Sequence, residues 1–428
     1  MKQNDRIEAL EQEMEALRRT VDELAFLNSL AEQIGALQSS AAIIEAIVYR
    51  TVRRCNAEQG VIALVEHETT DPMKTLVRSM NRSIPQAQYH VQQSLLGWML
   101  KYREPLRIDS PAQDERFRGS PWDSDIRSLL AVPLLVKGAL TGMLVLFNKK
   151  NGGFTVEDQR MLSIVGTQSA QVIENARLYE EEVTLSALEG EMRAAADIQR
   201  GLLPAESPML PQYDIAGVYV PSRLIGGDYF DYIPLADGRW VVAIGDVSGK
   251  GIAAALFMSV CRTLLRACVH EADGPADALH RLNEALGKDE HGALFITLLV
   301  GILDPTAGTF KYASGGHDSP LLLRASGGAE LLPKPNGMLL GVFPVSDWSE
   351  HTVHLAPGDA LVCYTDGVTE AMAPGGAMFG LEGMMALFDR RPLADAADTL
   401  RELTHAVDAY SDPTSQRDDL TVVVLKRL

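Results

Sequence analysis

Residues 213–428 are written as short β-rich runs, and four acidic positions fall where such a run ends or turns beside a glycine. The runs are YDIAGVYV, RWVVAIGDV, LFITLLVGILD, FKYASGGH, PLLLRA, DALVCYTDG and DLTVVVLKRL, with helical patterns at 251–270, 276–286, 381–388 and 393–410 between some of them. Strands outnumber helices and alternate poorly, which predicts two packed sheets with both faces covered, an α/β sandwich of one large domain. The acidic positions are Asp228 in Gly226-Gly227-Asp228-Tyr229-Phe230-Asp231, Asp246 in Gly245-Asp246-Val247-Ser248-Gly249-Lys250-Gly251, Asp366 in Tyr364-Thr365-Asp366-Gly367, and Asp418 with Asp419 in Arg417-Asp418-Asp419-Leu420. A short carboxylate at a strand end suits a hard cation, which wants oxygen ligands at fixed distance. Two such groups 4 Å apart repel by roughly 4 kcal/mol at an effective dielectric of 20, so a cluster calls for divalent ions, magnesium or manganese. Singly, each Asp-Gly reads as a turn. The 245–251 loop is not a phosphate-binding P-loop, because three residues rather than four separate Gly245 from Gly249 and a glycine follows the lysine.

The chain has 428 residues, room for two to three domains at about 150 each. Its formal net charge of -18 makes nucleic acid and anionic membrane unlikely partners by repulsion alone. Four cysteines without a Cys-x-x-Cys pair argue against a disulfide framework or a thiolate zinc site, and fit a cytoplasmic setting. The N-terminus lacks the apolar region of a signal peptide, and the apolar stretch 128–147 is broken by Pro133, Lys137, Gly138 and Gly142, so it reads as two buried strands with a turn and not as a membrane span.

Ile7, Leu10, Met14, Leu17, Val21 and Leu24 recur at spacings of three and four, a heptad seam that predicts a coiled coil, against the alternative of an amphipathic helix packed on its own domain. The seam then slips to Leu27, Leu30, Ile34 and Leu37. A mixed pattern follows: a helix at 41–53, strand-like GVIALVEHE and MKTLVRSM, a helix at 95–101, and the strand pair LLAVPLL and TGMLVLF, together an α+β unit of sensor size. Leu162, Val165, Ser169, Val172, Ala176, Tyr179 and Val183 then hold heptad spacing, and Leu185, Leu188, Met192 and Ala195 continue it in a shifted register up to Pro204. Such a helix predicts pairing with a second copy in a parallel homodimer; the slip at 183–185 and Gly190 make its second half the easier to bend.

In order, Gly-Gly-Asp-Tyr-Phe-Asp, Gly-Asp-Val-Ser-Gly-Lys-Gly, Gly315-Gly316-His317, Pro357-Gly358-Asp359, Tyr-Thr-Asp-Gly-Val-Thr-Glu and Asp-Asp-Leu-Thr resemble the signature of the bacterial metal-dependent serine/threonine phosphatases of the type 2C superfamily, in the sporulation and stress-response branch. Residues 191–204 are similar to that branch's switch helix; Asp318-Ser319-Pro320 departs from the usual Asn-Pro-Pro after the histidine. The resemblance implies two Mn²⁺ or Mg²⁺ ions, bridged by Asp246 with the Val247 carbonyl as a further ligand, one held by Asp228 and the other by Asp366 and Asp418, with Asp419 and Gly227 supporting them from behind. It implies in-line hydrolysis by a metal-activated water, and a phosphoserine or phosphothreonine on an anti-anti-sigma factor of the STAS type as substrate.

Residues 28–176 resemble a GAF sensor domain through Pro105-Leu106-Arg107-Ile108-Asp109, Asp114-Glu115-Arg116-Phe117, Ala131-Val132-Pro133-Leu134 and Gly142-Met143-Leu144. Asn148-Lys149, Phe154 and Asp158-Gln159 are similar to the pattern of cyclic-nucleotide-binding members, where it also serves as a structural tie. The signal that the sensor takes is unassigned. His67 and His90 read as loop residues sooner than haem or metal ligands, Cys261 and Cys268 as core, Lys250 as a solvated loop lysine sooner than one that attracts a phosphate, and His317 as a structural turn histidine sooner than a proton donor. The expected architecture is therefore a coiled coil at 1–27, a GAF sensor at 28–176, a linker helix at 177–205 and a phosphatase domain at 206–428. Two rival readings are a catalytically silent scaffold on the same fold and an enzyme acting on a small phosphate ester.

Overall fold

The computed structural model describes residues 10, 13, 14, 17, 21, 25 and 28, then 39–65, 78–79, 93–120, 122–287, 294–343, 347–389, 395–413 and 417–428. They divide into two compact units, Met1–Ala187 and Leu188–Leu428. Among them, no helix is long and apolar enough to cross a membrane.

In the first unit, helix α1 (Ser40–Arg54) is capped by Ser39, whose hydroxyl accepts the Ala42 N–H at 3.2 Å, and buries Ile43, Ile44, Ile47 and Val48. An antiparallel sheet follows in the order β2-β1-β5-β4-β3, built from β1 (Ala57–Leu64), β2 (Arg78–Ser79), β3 (Leu106–Ile108), β4 (Leu129–Val136) and β5 (Ala139–Lys149). The expected turn between the last two is a left-handed pair, Lys137 at φ 50° and Gly138 at φ 83°. One sheet face packs on α1 and on the start of helix α3 (Val156–Leu202), the other on α2 (Gln93–Tyr102) and its neighbours. Asn148 is the structural tie: its Oδ1 accepts the backbone N–H of Arg127 at 2.7 Å, and its Nδ2 donates to Glu58 and to the Asp125 carbonyl. Lys149 pairs with Asp158.

Helix α3 runs unbroken for 47 residues. The heptad reading needs correction over its first part, where Leu162, Val165 and Ser169 are buried and the two apolar residues belong to the core of the first unit rather than to a seam awaiting a partner. Farther along, Tyr179, Val183, Leu185 and Leu188 stay more than half exposed. In the N-terminal seam Leu10, Met14, Leu17 and Val21 are likewise exposed, while Ile7, Leu24, Leu27, Leu30, Ile34 and Leu37 lie outside the described residues, as do His67, His90 and most of MKTLVRSM.

The second unit is a sandwich of two antiparallel five-stranded sheets. The first has the order β13-β10-β9-β8-β7, from β7 (Tyr229–Pro234), β8 (Trp240–Val247), β9 (Ile296–Asp304), β10 (Thr309–Gly315) and β13 (His351–His354). The second has the order β12-β11-β14-β15-β6, from β6 (Tyr213–Val220), β11 (Leu321–Leu323), β12 (Ala329–Leu331), β14 (Ala360–Tyr364) and β15 (Leu420–Arg427). One large core joins both sheets with helices α4 (Ile252–Cys268) and α5 (Pro275–Leu286); a second core lies between the other sheet face and helices α7 (Gly380–Phe388) and α8 (Ala396–Tyr410). A short helix α6 (Asp366–Thr369) opens where β14 ends.

β7 was not among the expected strands, since its sequence reads as part of a turn. It is pinned from outside the sheet: the fully buried Asp231 carboxylate receives both Arg266 Nε and Nη2 from α4 at 2.6 Å, and the Tyr229 hydroxyl at 2.9 Å. A buried carboxylate whose cation is removed is strongly destabilising. Arg266→Met should therefore cost about 3 kcal/mol, at the low end of such losses because Arg262 stays 3.8 Å away, read as a lowered urea midpoint with unchanged slope.

Candidate active site

The expected ligand positions lie at strand ends of both sheets, near enough for their charges to act on one another. Asp228 precedes β7 and Asp246 sits near the end of β8, both in the first sheet, while Asp366 follows β14 and Asp418 precedes β15 in the second. Asp228 is buried, and its Oδ2 accepts the hydroxyls of Thr365 at 2.7 Å and Thr421 at 2.6 Å. Its Oδ1 is equally buried and receives no donor among the described residues. Burial first, and then the charge of Asp246, hold Asp228 well above the usual carboxylate range. Burial and the neighbouring Asp366 push Asp246 up to about 7, and burial with Glu370 and Asp418 pushes Asp366 up to about 6.

Asp419 turns away from this group. Its Oδ1 accepts the Ser222 N–H and its Oδ2 the Gly227 N–H, each at 2.7 Å, so it closes the loop that carries Asp228. That loop has no room for a side chain at Gly226, where a Cβ would stand 1.9 Å from Asp419 Oδ2 and 2.4 Å from the Tyr219 hydroxyl. At Gly227 a Cβ would meet the Val247 carbonyl oxygen at 2.8 Å, which places that carbonyl beside the residue preceding Asp228.

Sequence reasoning missed Gln199. From the end of α3 its Nε2 donates to the Gly226 carbonyl at 2.7 Å and its Oε1 accepts the Gly226 N–H at 3.3 Å, a two-bond clamp on the same loop. Met192 and Ala196 pack with Ile225 and Ala255 beside it. The i, i+4 and i+7 spacing of Met192, Ala196 and Gln199 was visible, but a buried glutamine gives no sign of which backbone it will bind.

His317 is buried with both ring nitrogens engaged, Nδ1 at 3.0 Å from Thr297 Oγ1 and Nε2 at 3.1 Å from the Tyr364 carbonyl. Burial lowers it to about 4, so it is neutral at pH 7 and ties the two sheets together. Burial also pushes the Cys261 and Cys363 thiols up to about 12, which leaves them poor nucleophiles. Asp359 holds a turn, accepting from Ala325, Ala356 and Arg324. Lys250 differs from the expected solvated lysine, for its ammonium lies 2.9 Å from Asp418 Oδ2. Beside Asp418 opens a cleft of about 820 Å³ lined by Arg223, Met372, Arg401, His405 and Arg417 among others.

Among the described residues, no three carboxylate, imidazole or thiol side chains already converge as a finished metal cage. The donors nevertheless fit a hard divalent ion: all are oxygens, one is a buried atom without a donor, and their mutual repulsion is what a cation relieves. The repulsion has a measurable sign. A carboxylate raised when folded favours the folded state below its unfolded value near 4, and that advantage is lost as pH rises through its folded value. In chelator-treated protein, Asp246→Asn should therefore raise the melting temperature by an amount that grows between about pH 4 and pH 7, and Mn²⁺ should abolish the gain, as scanning calorimetry would register.

Comparison with known proteins places these features in a lineage. The family model described as Stage II sporulation protein E matches residues 236–428, and a GAF domain model matches residues 38–174. Protein IcfG of Synechocystis sp. is 29% identical over 268 residues, covering 55% of this chain and 41% of IcfG. Phosphoserine phosphatase RsbU of Bacillus subtilis is 27% identical over 254 residues, covering 58% of this chain and 75% of RsbU. Among solved structures, the SiaA-PP2C domain of Pseudomonas aeruginosa superposes with a TM-score of 0.51 at 21% identity, over 57% of this chain and 98% of that domain, a likeness of fold. Residues 38–174 are thus similar to GAF domains and residues 236–428 to the Stage II sporulation protein E family, with RsbU and IcfG as relatives, and the chain spans less than half the length of IcfG.

Proposed function

We propose that residues 206–428 hydrolyse a phosphoserine or phosphothreonine on a protein, using water at a dinuclear Mn²⁺ or Mg²⁺ site, under control of the GAF segment at 28–176. The observation that carries this reading is the bare, buried Oδ1 of Asp228 among carboxylates that repel one another. In this reading Asp246, Asp228, Asp366, Asp418 and the Val247 carbonyl would hold the two ions, with Asp246 shared between them, while Asp419 and Gly227 keep the loop in place. Two bound divalent ions supply a water acidified toward neutrality and charge against the phosphoryl oxygens. Thr365 and Thr421 fix one Asp228 oxygen so that the other faces the site, and His317, neutral with both nitrogens engaged, only spans the sheets.

RsbU is by name a phosphoserine phosphatase, and the motif resemblance points to an anti-anti-sigma factor of the STAS type as substrate. The cleft beside Asp418 is large enough for the polypeptide flanking the phosphorylated residue. A silent scaffold has no use for crowded like charges, which disfavours that alternative. The exposed seams at Leu10 to Val21 and Tyr179 to Leu188 support a parallel homodimer, and the signal would travel along α3 to the Gln199 clamp, with the sensor's ligand unassigned.

Purified full-length chain should release phosphate from a phosphoserine protein with Mn²⁺ or Mg²⁺ and none after chelation; Asp246→Asn should fall to background with an unchanged circular dichroism spectrum. Full turnover in chelator removes the two-metal reading, and turnover of small phosphate esters alone removes the protein substrate. Gln199→Ala frees Gly226 and leaves both its backbone groups without their partner. It should raise the Mn²⁺ concentration needed for half-maximal activity several-fold without touching any ligand; an unchanged metal requirement would show that the helix end does not position Asp228.

A further inference from the structure

The ion pair between Lys250 and Asp418 is, among the described residues, the one cation contact made by any of the four expected ligand aspartates. Lys250 stands at the tip of a short loop whose root is fixed: the Ser248 N–H donates to the Phe295 carbonyl at 2.9 Å, and Ser248 Oγ accepts the Phe295 N–H at 3.0 Å. The loop's other end starts α4 at Ile252. On either side of the lysine, Gly249 at φ 87° and Gly251 at φ 83° hold left-handed backbone that ordinary side chains rarely adopt, although a Cβ at either place would meet nothing within 4 Å. Backbone conformation rather than space therefore requires these glycines, and the conformation sets Lys250 toward Asp418. Both partners are about a third exposed, 33% and 36%, so the pair is solvent-screened and exchanges cheaply.

We propose that Lys250 is a phosphate-binding residue of the active site that changes partners, competing with the metal ion for Asp418 and, once the ion takes that carboxylate, turning its ammonium to a non-bridging phosphoryl oxygen of the substrate. This rests on the two-metal reading above. An ammonium carries three donors and no acceptor, on a stem with four rotatable bonds, so it serves a carboxylate or a phosphate equally well as a point charge. No bond to the lysine is made or broken during hydrolysis and its proton stays on it. The chemistry recognised is a phosphate monoester dianion, whatever chain carries it.

The two halves of the proposal move in opposite directions on one substitution, which separates them from a structural role. In full-length protein stripped with chelator, Lys250→Met should tighten Mn²⁺ binding at least threefold by calorimetric titration, because a competing cation is gone. The same variant, saturated with Mn²⁺, should weaken competitive inhibition by inorganic phosphate, and raise KM for p-nitrophenyl phosphate, about fivefold. Lys250→Arg should keep both within twofold of wild type. If wild type binds Mn²⁺ and turns over while Lys250→Met leaves either quantity unmoved, or moves both the same way, the partner exchange is wrong and the two-metal reading stands. If wild type binds no Mn²⁺, both fall together.

Discussion

Thr365 and Thr421 belong to one sheet of the phosphatase unit and Asp228 to the margin of the other, and their two hydroxyl donations at 2.7 and 2.6 Å converge on a single carboxylate oxygen. Around that point the sandwich is stitched again. The Thr365 N–H donates to the Thr421 carbonyl and the Thr421 N–H to Thr365 Oγ1, His317 bridges Thr297 to the Tyr364 carbonyl, and Asp419 gathers Ser222 and Gly227. Polar groups this deeply buried are costly unless partnered. Asp228 Oδ1 is one of several buried atoms of this unit without a hydrogen-bond partner among the described residues, and it differs from the others in belonging to a carboxylate set among further carboxylates. The network makes the geometry of two sheets answer to one carboxylate, and it holds like charges closer than they would choose.

That arrangement explains which parts of the fold were legible in the sequence. The acidic turns could be read because a cluster of aspartates beside glycines is costly without a reason, and the strands around them because Val, Leu and Ile runs of five to nine residues have few alternatives. β7 was hidden, since Tyr229, Phe230 and Asp231 bury a carboxylate whose partner, Arg266, lies 35 residues away. Nothing local in the chain announces that pairing. Gln199 was hidden for the same reason: its partner is backbone 27 residues on, and backbone carries no signature in a sequence.

The heptad pattern failed differently. Leu162 and Val165 sit at spacings that suit a second helix or a sheet equally well, because periodicity reports which face of a helix is apolar and not what covers it. In the first unit the sheet covers it, and β1, β4 and β5 supply Ile62, Leu130, Val132, Leu134, Leu144 and Leu146 to the same core. Beyond Ala176 the sheet is no longer available to the helix and the apolar residues emerge into solvent. One spacing thus encodes two environments along one helix, with the change set by where the globule ends.

The end of that helix meets the loop that carries Asp228. Gln199 grips both backbone groups of Gly226, and Gly226 is the residue at which the Asp419 carboxylate and the Tyr219 hydroxyl leave no space for a methyl group. A loop so tightly enclosed has few conformations near its present one, so a small displacement of the helix end is not absorbed locally; it must either be refused or shift Asp228 as well. Displacement of Asp228 changes its interaction with Asp246, the carboxylate whose charge it feels most. Steric enclosure at one glycine thereby links the helix end to the Asp228 carboxylate.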